Sequence, residues 1–125
     1  MANPEHLAIL KQGVEQWNKW RKEHPEARPN LRRVDLRSED LTGADFSRAN
    51  LSKGDLSRAN FRNAKLSRAD LRVTKLTGAT LRDADLRRAD LRLADLLRRL
   101  REVTNPYSPR LTTDFAAGMI GTVAG

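Results

Sequence analysis

The sequence predicts a solenoid, a chain that turns once every five residues and stacks coil upon coil. Two features carry that reading. A leucine or phenylalanine stands at every fifth position: Leu31, Leu36, Leu41, Phe46, Leu51, Leu56, Phe61, Leu66, Leu71, Leu76, Leu81, Leu86, Leu91 and Leu96. Two residues before most of them sits a small one: Ala44, Ala49, Gly54, Ala59, Ala64, Ala69, Ala79, Ala84, Ala89 and Ala94. An internal repeat this regular decides architecture ahead of any local propensity.

A period of five suits neither common element. On an α-helix, five residues advance the chain roughly 140° past a full turn, so the leucines would spray around the cylinder. On a strand, a step of five flips each leucine to the opposite face. All of them reach one interior only if the chain turns once per pentad. The large and small residues then point to the axis, and the other three positions face water.

Runs such as Ala44-Asp45-Phe46-Ser47-Arg48, Ala49-Asn50-Leu51-Ser52-Lys53 and Ala89-Asp90-Leu91-Arg92-Leu93 resemble the pentapeptide-repeat family, whose motif reads Ala-Asp/Asn-Leu-x-x. The resemblance implies an all-β solenoid: a right-handed quadrilateral β-helix with four repeats per coil and residues twenty apart stacked. Residues 31–96 then make about three and a half coils, a stack about 17 Å tall.

The N-terminal residues 1–30 read as a capping helix and a lead-in loop, since a stack of coils exposes unpaired edges at both ends. Asn3 suits an N-cap and Pro4 the first helical position. Leu7, Leu10, Val14 and Trp17 form one stripe at helical spacing, and Pro25 ends the helix by pushing His24 out of the helical region. Trp17 reads as the seal on the first coil with Trp20 at its edge; a partner-binding aromatic pair is the other reading. Glu39 breaks the pattern at an inward small position, where it must turn to a helix terminus or to solvent.

Beyond the repeats, residues 97–110 read as a C-terminal capping helix and linker. Leu96-Leu97-Arg98-Arg99-Leu100-Arg101-Glu102-Val103 is amphipathic, with Leu97, Leu100 and Val103 set to cover the last coil and shield the outward Leu93. Asn105-Pro106 stops it. Residues 111–125 form an apolar, glycine-containing tail that is uncharged from Phe115 onward. Its candidate association residues are Phe115, Ala117, Met119, Ile120, Gly121 and Gly125, with a small residue every fourth position. The tail is a frayed terminus, a short helix folded on the cap or on another subunit, or a membrane contact; it is too short to span a bilayer, which takes about twenty residues.

The chain of 125 residues fits one domain, and 38% hydrophobic and 5% aromatic content suits a thin core column of leucine and alanine. The absence of cysteine fits a reducing compartment, and no long apolar run opens the sequence, so a cytoplasmic location is expected. Lysine and arginine number 24 against 16 acids, a net charge of +8, and residues 31–96 carry most of the excess with 15 basic side chains against 10 acids.

Nothing in the sequence assembles a catalytic centre. A column of leucine and alanine leaves no pocket for converging groups. His6 and His24 lack metal-ligand spacing and read as surface residues. Gly43, Gly54 and Gly78 occupy repeat positions explained by turning or packing. The aspartates before the leucines belong to the repeat. A non-enzymatic protein with no cofactor and no metal is expected.

With residues twenty apart stacked, the surface becomes a set of columns. Arg48, Arg68 and Arg88 form one, with Arg87 beside it and Lys65 nearby; Arg32, Ser52, Arg72 and Arg92 form another. These make Arg48, Arg68, Arg87, Arg88, Lys65, Arg72 and Arg92 the candidate interaction surface. Lysines interrupt the acids in Asp45/Lys65/Asp85 and in Asp35/Asp55/Lys75/Asp95, which supports four repeats per coil, while the Asp35/Asp55 pair is left unrelieved. The arginine column is either a solvated face balanced by neighbouring aspartates or a rigid ladder for phosphates or an acidic protein.

The function expected first is an interaction scaffold or adaptor presenting charged ladders to a protein partner. A helix followed by repeats also resembles a segment joined to signalling domains in larger bacterial proteins. Some members of the family resemble duplex DNA in size and negative charge and occupy the DNA site of gyrase; the positive surface and short stack here depart from that pattern. Nucleic-acid binding through the arginines lacks interleaved aromatic residues for base stacking. Membrane contact or homo-oligomer formation through the tail completes the set.

Overall fold

The computed structural model describes residues 1–94. The expected C-terminal helix, the linker and the tail at 111–125 lie outside the described residues, as do Asp95 and Leu96.

From Leu31 onward each pentad makes the same turn. The N–H of the small residue donates to the carbonyl of the large residue three positions back, as from Ala49 to Phe46 O at 3.0 Å and from Ala59 to Leu56 O at 3.1 Å. The third residue of each turn has a positive φ, from Arg33 at 64° through Arg48 at 62° to Leu93 at 60°. A left-handed third residue is the arrangement of a type II turn. Turns at this interval bend the chain into a closed coil, and residues twenty apart pair in parallel, as in Asn30↔Asn50, Asp45↔Lys65 and Lys65↔Asp85. Four pentads therefore complete one coil.

Each side of the coil contributes a single bridged residue, so no extended strand forms among the described residues. The expectation of an all-β solenoid is met by isolated parallel bridges. The reason is geometric: about three residues of straight chain separate one turn from the next. Coil-to-coil bonds flank each bridge, with Leu51 N–H donating to Asp70 O at 2.8 Å and Asp70 N–H to Ala49 O at 2.8 Å.

The inward pattern follows the repeat. Phe46, Leu51, Leu56, Phe61 and Leu91 are fully buried, as are Ala44, Ala49, Ala59 and Ala89. Each large side chain contributes roughly 1.5–3 kcal/mol by leaving water. One column of small positions is uneven, with Val34, Gly54 and Thr74 stacked in successive coils. A Cβ on Gly54 would lie 2.9 Å from Leu51 O and 3.2 Å from Val34 O, so two backbone carbonyls, rather than the Val34 side chain, leave room only for glycine. The buried Thr74 hydroxyl donates to Leu71 O at 2.8 Å. Glu39 stays exposed, the solvent alternative of its two readings.

Where aspartate or asparagine precedes the leucine or phenylalanine, as it does everywhere but at Lys65, Lys75 and Thr80 among the described residues, it has a defined task. Its side-chain oxygen accepts the backbone N–H two positions on, within the turn: Ser47 N–H to Asp45 at 3.0 Å, Ser52 N–H to Asn50 at 3.0 Å and Arg62 N–H to Asn60 at 3.0 Å. Only a short side chain with a carbonyl or carboxylate oxygen reaches that N–H, which is why aspartate and asparagine recur.

The N-terminal segment is two helices where one was expected. α1 spans Pro4–Lys11 and α2 spans Val14–Glu23. Asn3 Oδ1 accepts Glu5 N–H at 2.8 Å, and Pro4 opens α1 as its fixed φ allows. The break falls at Gly13, whose φ of 110° is open to glycine and strained for other residues. The expected stripe still packs on one side, with Leu10 and Trp17 buried and Leu7 and Val14 partly so. α2 ends at Glu23, and His24 leaves the helical region ahead of Pro25.

α2 also satisfies the first coil's free edge. Trp17 Nε1 donates to Asp45 O at 2.8 Å, and its ring packs on Phe46 with centroids 5.6 Å apart. Asn18 Nδ2 donates to Gly43 O at 3.0 Å, and its Oδ1 accepts Asp45 N–H at 2.9 Å, as a neighbouring strand would. Arg21 is buried, and its guanidinium donates to Ser47 O at 2.8 Å and Ala27 O at 2.9 Å. An edge left bare would template pairing with another chain. The Trp20 ring contacts those of His6 and His24, each with its centroid 5.1 Å away. His6 is not the plain surface residue expected: it is half-buried, and its Nδ1 accepts Asn30 N–H at 3.0 Å.

Candidate interaction surface

Stacking the left-handed turn residues gives the coil four corners. One carries Arg33, Lys53, Val73 and Leu93; the next Ser38, Arg58 and Gly78; the third Gly43, Asn63 and Asp83; the fourth Arg48, Arg68 and Arg88. Only the fourth is cationic at every level. A left-handed turn residue projects outward because the turn itself directs its neighbours to the core, so the three arginines stand in line about 4.8 Å apart from coil to coil.

Six of the seven candidate residues divide into two sets. Arg72, Arg87 and Arg92 each grip the aspartate two positions back. The N···O contacts are 2.7 Å for Arg72–Asp70, 2.7 Å for Arg87–Asp85 and 2.6 Å for Arg92–Asp90. These side-chain hydrogen bonds raise the arginine pKa values and, in Asp90, hold the carboxyl below its ordinary value. Arg72 also lies 3.8 Å from Asp90 in the next coil. Arg48, Arg68 and Arg88 have no carboxylate within 4 Å among the described residues. Lys65 lies in the Asp45/Lys65/Asp85 column beside them, in the expected register.

The Asp35/Asp55 pair is relieved, contrary to expectation. Arg37 binds Asp35 at 2.8 Å and reaches Asp55 at 3.9 Å. Its hydrogen bonds pull the Asp35 carboxyl from the usual 3.8 to about 2. Arg37 supplies the relief through a fork two residues on, a relation that column charges alone do not reveal.

The buried Arg21 ties this surface to the helices. Burial works against its charge, Asp45 supports it, and Arg48 opposes it. Asp85 is held by Arg87 at 2.7 Å, while Asp45 lies near enough to Arg21 to favour its charge. Sequence reasoning missed Arg21, Asn18, Arg37 and Val73. The signal for Val73 was present: it is a β-branched residue at the turn position, with φ 58°, and is 45% exposed beside Leu93 at 77%.

No group of His, Cys, Asp and Glu that could hold a metal ion occurs among the described residues, and no helix among them is long and apolar enough to cross a membrane. The candidate residues Phe115, Ala117, Met119, Ile120, Gly121 and Gly125 lie outside the described residues.

Comparison with known proteins bears on the coil. A family model for pentapeptide repeats matches residues 30–68 and 55–92. A pentapeptide repeat protein from the Arabidopsis thaliana thylakoid lumen matches with a TM-score of 0.59 and 27% identity, over 64% of this chain and 56% of its own. The chain thus spans little more than half the length of that structure. A pentapeptide repeat protein from Nostoc is 31% identical over 74% of this chain and 79% of its own, with a TM-score of 0.42. QnrB1, a plasmid-mediated fluoroquinolone resistance protein, is 18% identical over 70% of this chain and 63% of its own, with a TM-score of 0.27. Among curated proteins none matches. Pentapeptide repeat relatives imply a right-handed β-helix solenoid.

Proposed function

The chain belongs to the pentapeptide repeat family, and on that footing we propose that it is a non-enzymatic interaction scaffold presenting charged side-chain ladders to a protein partner. One observation supports this reading above the others. The interior is filled by leucine, phenylalanine and small residues, while the corner of Arg48, Arg68 and Arg88 is held at fixed spacing with no carboxylate within 4 Å among the described residues. A rigid stack presents such a row with little conformational entropy left to lose on binding. In this reading residues 1–30 cap the stack and the protein works in the cytoplasm.

The test is comparative cross-linking in native lysate at low salt. Wild-type protein is compared with a variant carrying Arg48→Glu, Arg68→Glu and Arg88→Glu together, after both are shown to melt alike. A reproducible protein captured by the first and lost by the second is the expected result. Identical captures, or none, would count against the scaffold.

A further inference from the structure

The arginine corner and the corner of Val73 and Leu93 are neighbours, and together they define an amphipathic template. The turn Phe46-Ser47-Arg48-Ala49 forms one corner and the turn Leu51-Ser52-Lys53-Gly54 the next. The same order recurs twenty and forty residues on. Between the corners the coil shows Asn50, Asp70 and Asp90, and the last two are gripped by Arg72 and Arg92. This side of the coil thus has a cationic edge, a neutralised middle, and an opposite edge that turns apolar toward the later coils. Val73 and Leu93 stack there as the large exposed hydrophobics of the coil, among the described residues. An open groove lined by Arg32, Ser52, Lys53, Arg72, Val73, Arg92 and Leu93 runs along that edge.

We propose that this side of the coil docks an acidic amphipathic helix of a partner protein, with its carboxylates on Arg48, Arg68 and Arg88 and its apolar stripe on Val73 and Leu93. The proposal rests on the scaffold reading and names its partner's chemistry. Three matches carry it. Carboxylates three or four residues apart on a helix lie roughly 5–6 Å apart, close to the ladder's spacing of about 4.8 Å. Three residues of extended chain set the corners about 10 Å apart, and a helix with side chains is about 10–12 Å across. The third match is the left-handed Val73: a β-branched residue in this conformation is costly, and strain of this kind collects at functional sites. The apolar edge also argues against nucleic acid, whose backbone offers Val73 and Leu93 nothing to bury. The aromatic rings of the coil, Phe46 and Phe61, are buried and unable to stack on bases.

The test is fluorescence anisotropy with three probes against the full chain. The first is a synthetic helix-forming peptide with glutamates every fourth residue beside a leucine stripe. The second is a peptide of the same composition in scrambled order, and the third a duplex oligonucleotide. The expected result is binding of the first peptide at least tenfold tighter than the scrambled one. Arg48→Glu/Arg68→Glu/Arg88→Glu should cost at least tenfold, and Val73→Ser/Leu93→Ser several-fold. Equal binding of both peptides, or tighter binding of the oligonucleotide, would overturn the proposal. So would a dimer in sedimentation that Val73→Ser/Leu93→Ser dissolves, since a second copy would then own the edge. If lysate capture depends on the arginines but is unaffected by Val73→Ser/Leu93→Ser, the helix proposal fails and the scaffold stands. If capture depends on neither, both fail.

Discussion

The Arg37 guanidinium lies 3.9 Å from the carboxylate of Asp55, which bridges to Asp35 in the preceding coil. One arginine therefore spans two stacked acids that would otherwise repel. Replacing it with glutamine removes the guanidinium hydrogen bonds, the largest cause of the depression of Asp35, and leaves the backbone N–H bond in place. Its carboxyl, titrated by NMR, should rise from about 2 toward the usual 3.8. A depressed carboxyl contributes stability that is complete above its unfolded value and lost as pH falls toward 2, so Arg37→Gln should also flatten the acid limb of the melting curve. An unchanged Asp35 titration would mean that the fork does not persist in solution.

Val73 places a branched side chain where the turn demands a left-handed backbone, while Asn63 fills the equivalent turn position at the same φ of 58°. Asparagine is at ease there and valine is not. Val73→Asn should stabilise the fold by about 1 kcal/mol in chemical denaturation. The same change should weaken binding of the amphipathic peptide. A gain in stability without loss of binding would separate the strain from the docking role.

At Gly54 the argument runs the other way. Its φ is ordinary, but a methyl group would meet Leu51 O and Val34 O at 2.9 and 3.2 Å. Gly54→Ala should destabilise by about 1–3 kcal/mol, the usual range for overpacking. Gly43→Ala is the control, since nothing lies within 4 Å of a Cβ there and only its φ of 73° opposes the change.

His6 links α1 to the start of the coil by accepting Asn30 N–H at 3.0 Å, which requires an unprotonated Nδ1. Burial pushes its pKa below the ordinary 6.5; Glu5 opposes that shift and Arg21 adds to it. The unfolded chain therefore binds the proton more readily than the folded one. This contribution to stability is complete above about pH 6.5 and falls away as pH drops toward the lower folded value. His6→Asn keeps an acceptor and removes the titration, so its melting temperature should vary less between pH 6.5 and 5. Equal slopes would assign the link no role.

The coil was legible because each pentad repeats the same physical problem. The leucine period requires a turn every five residues, and the lysines among the acid columns already indicate a register of twenty. Asn3 and Pro4 likewise announce the start of α1. What escaped depends on contacts between distant residues. Gly13 sits inside an unbroken apolar stripe, and only its φ of 110° shows that it divides the helix. Arg21 has the composition of a surface residue, yet the carbonyls of Ala27 and Ser47 bury it. Among the described residues, the arginines that grip an aspartate stand directly after a leucine, from where the side chain can reach back two positions, and those at the left-handed corner make no such bond.

The register of twenty is tested most directly by cross-linking a chain that has no cysteine of its own. The hydroxyls of Ser47 and Ser67 lie 3.4 Å apart across adjacent coils. Oxidised Ser47→Cys/Ser67→Cys protein should form an intramolecular disulfide, seen as a mobility shift that reductant reverses, while Ser47→Cys/Ser57→Cys should stay open. A bridge in the second pair and none in the first would contradict four pentads per coil and, with it, every ladder described above.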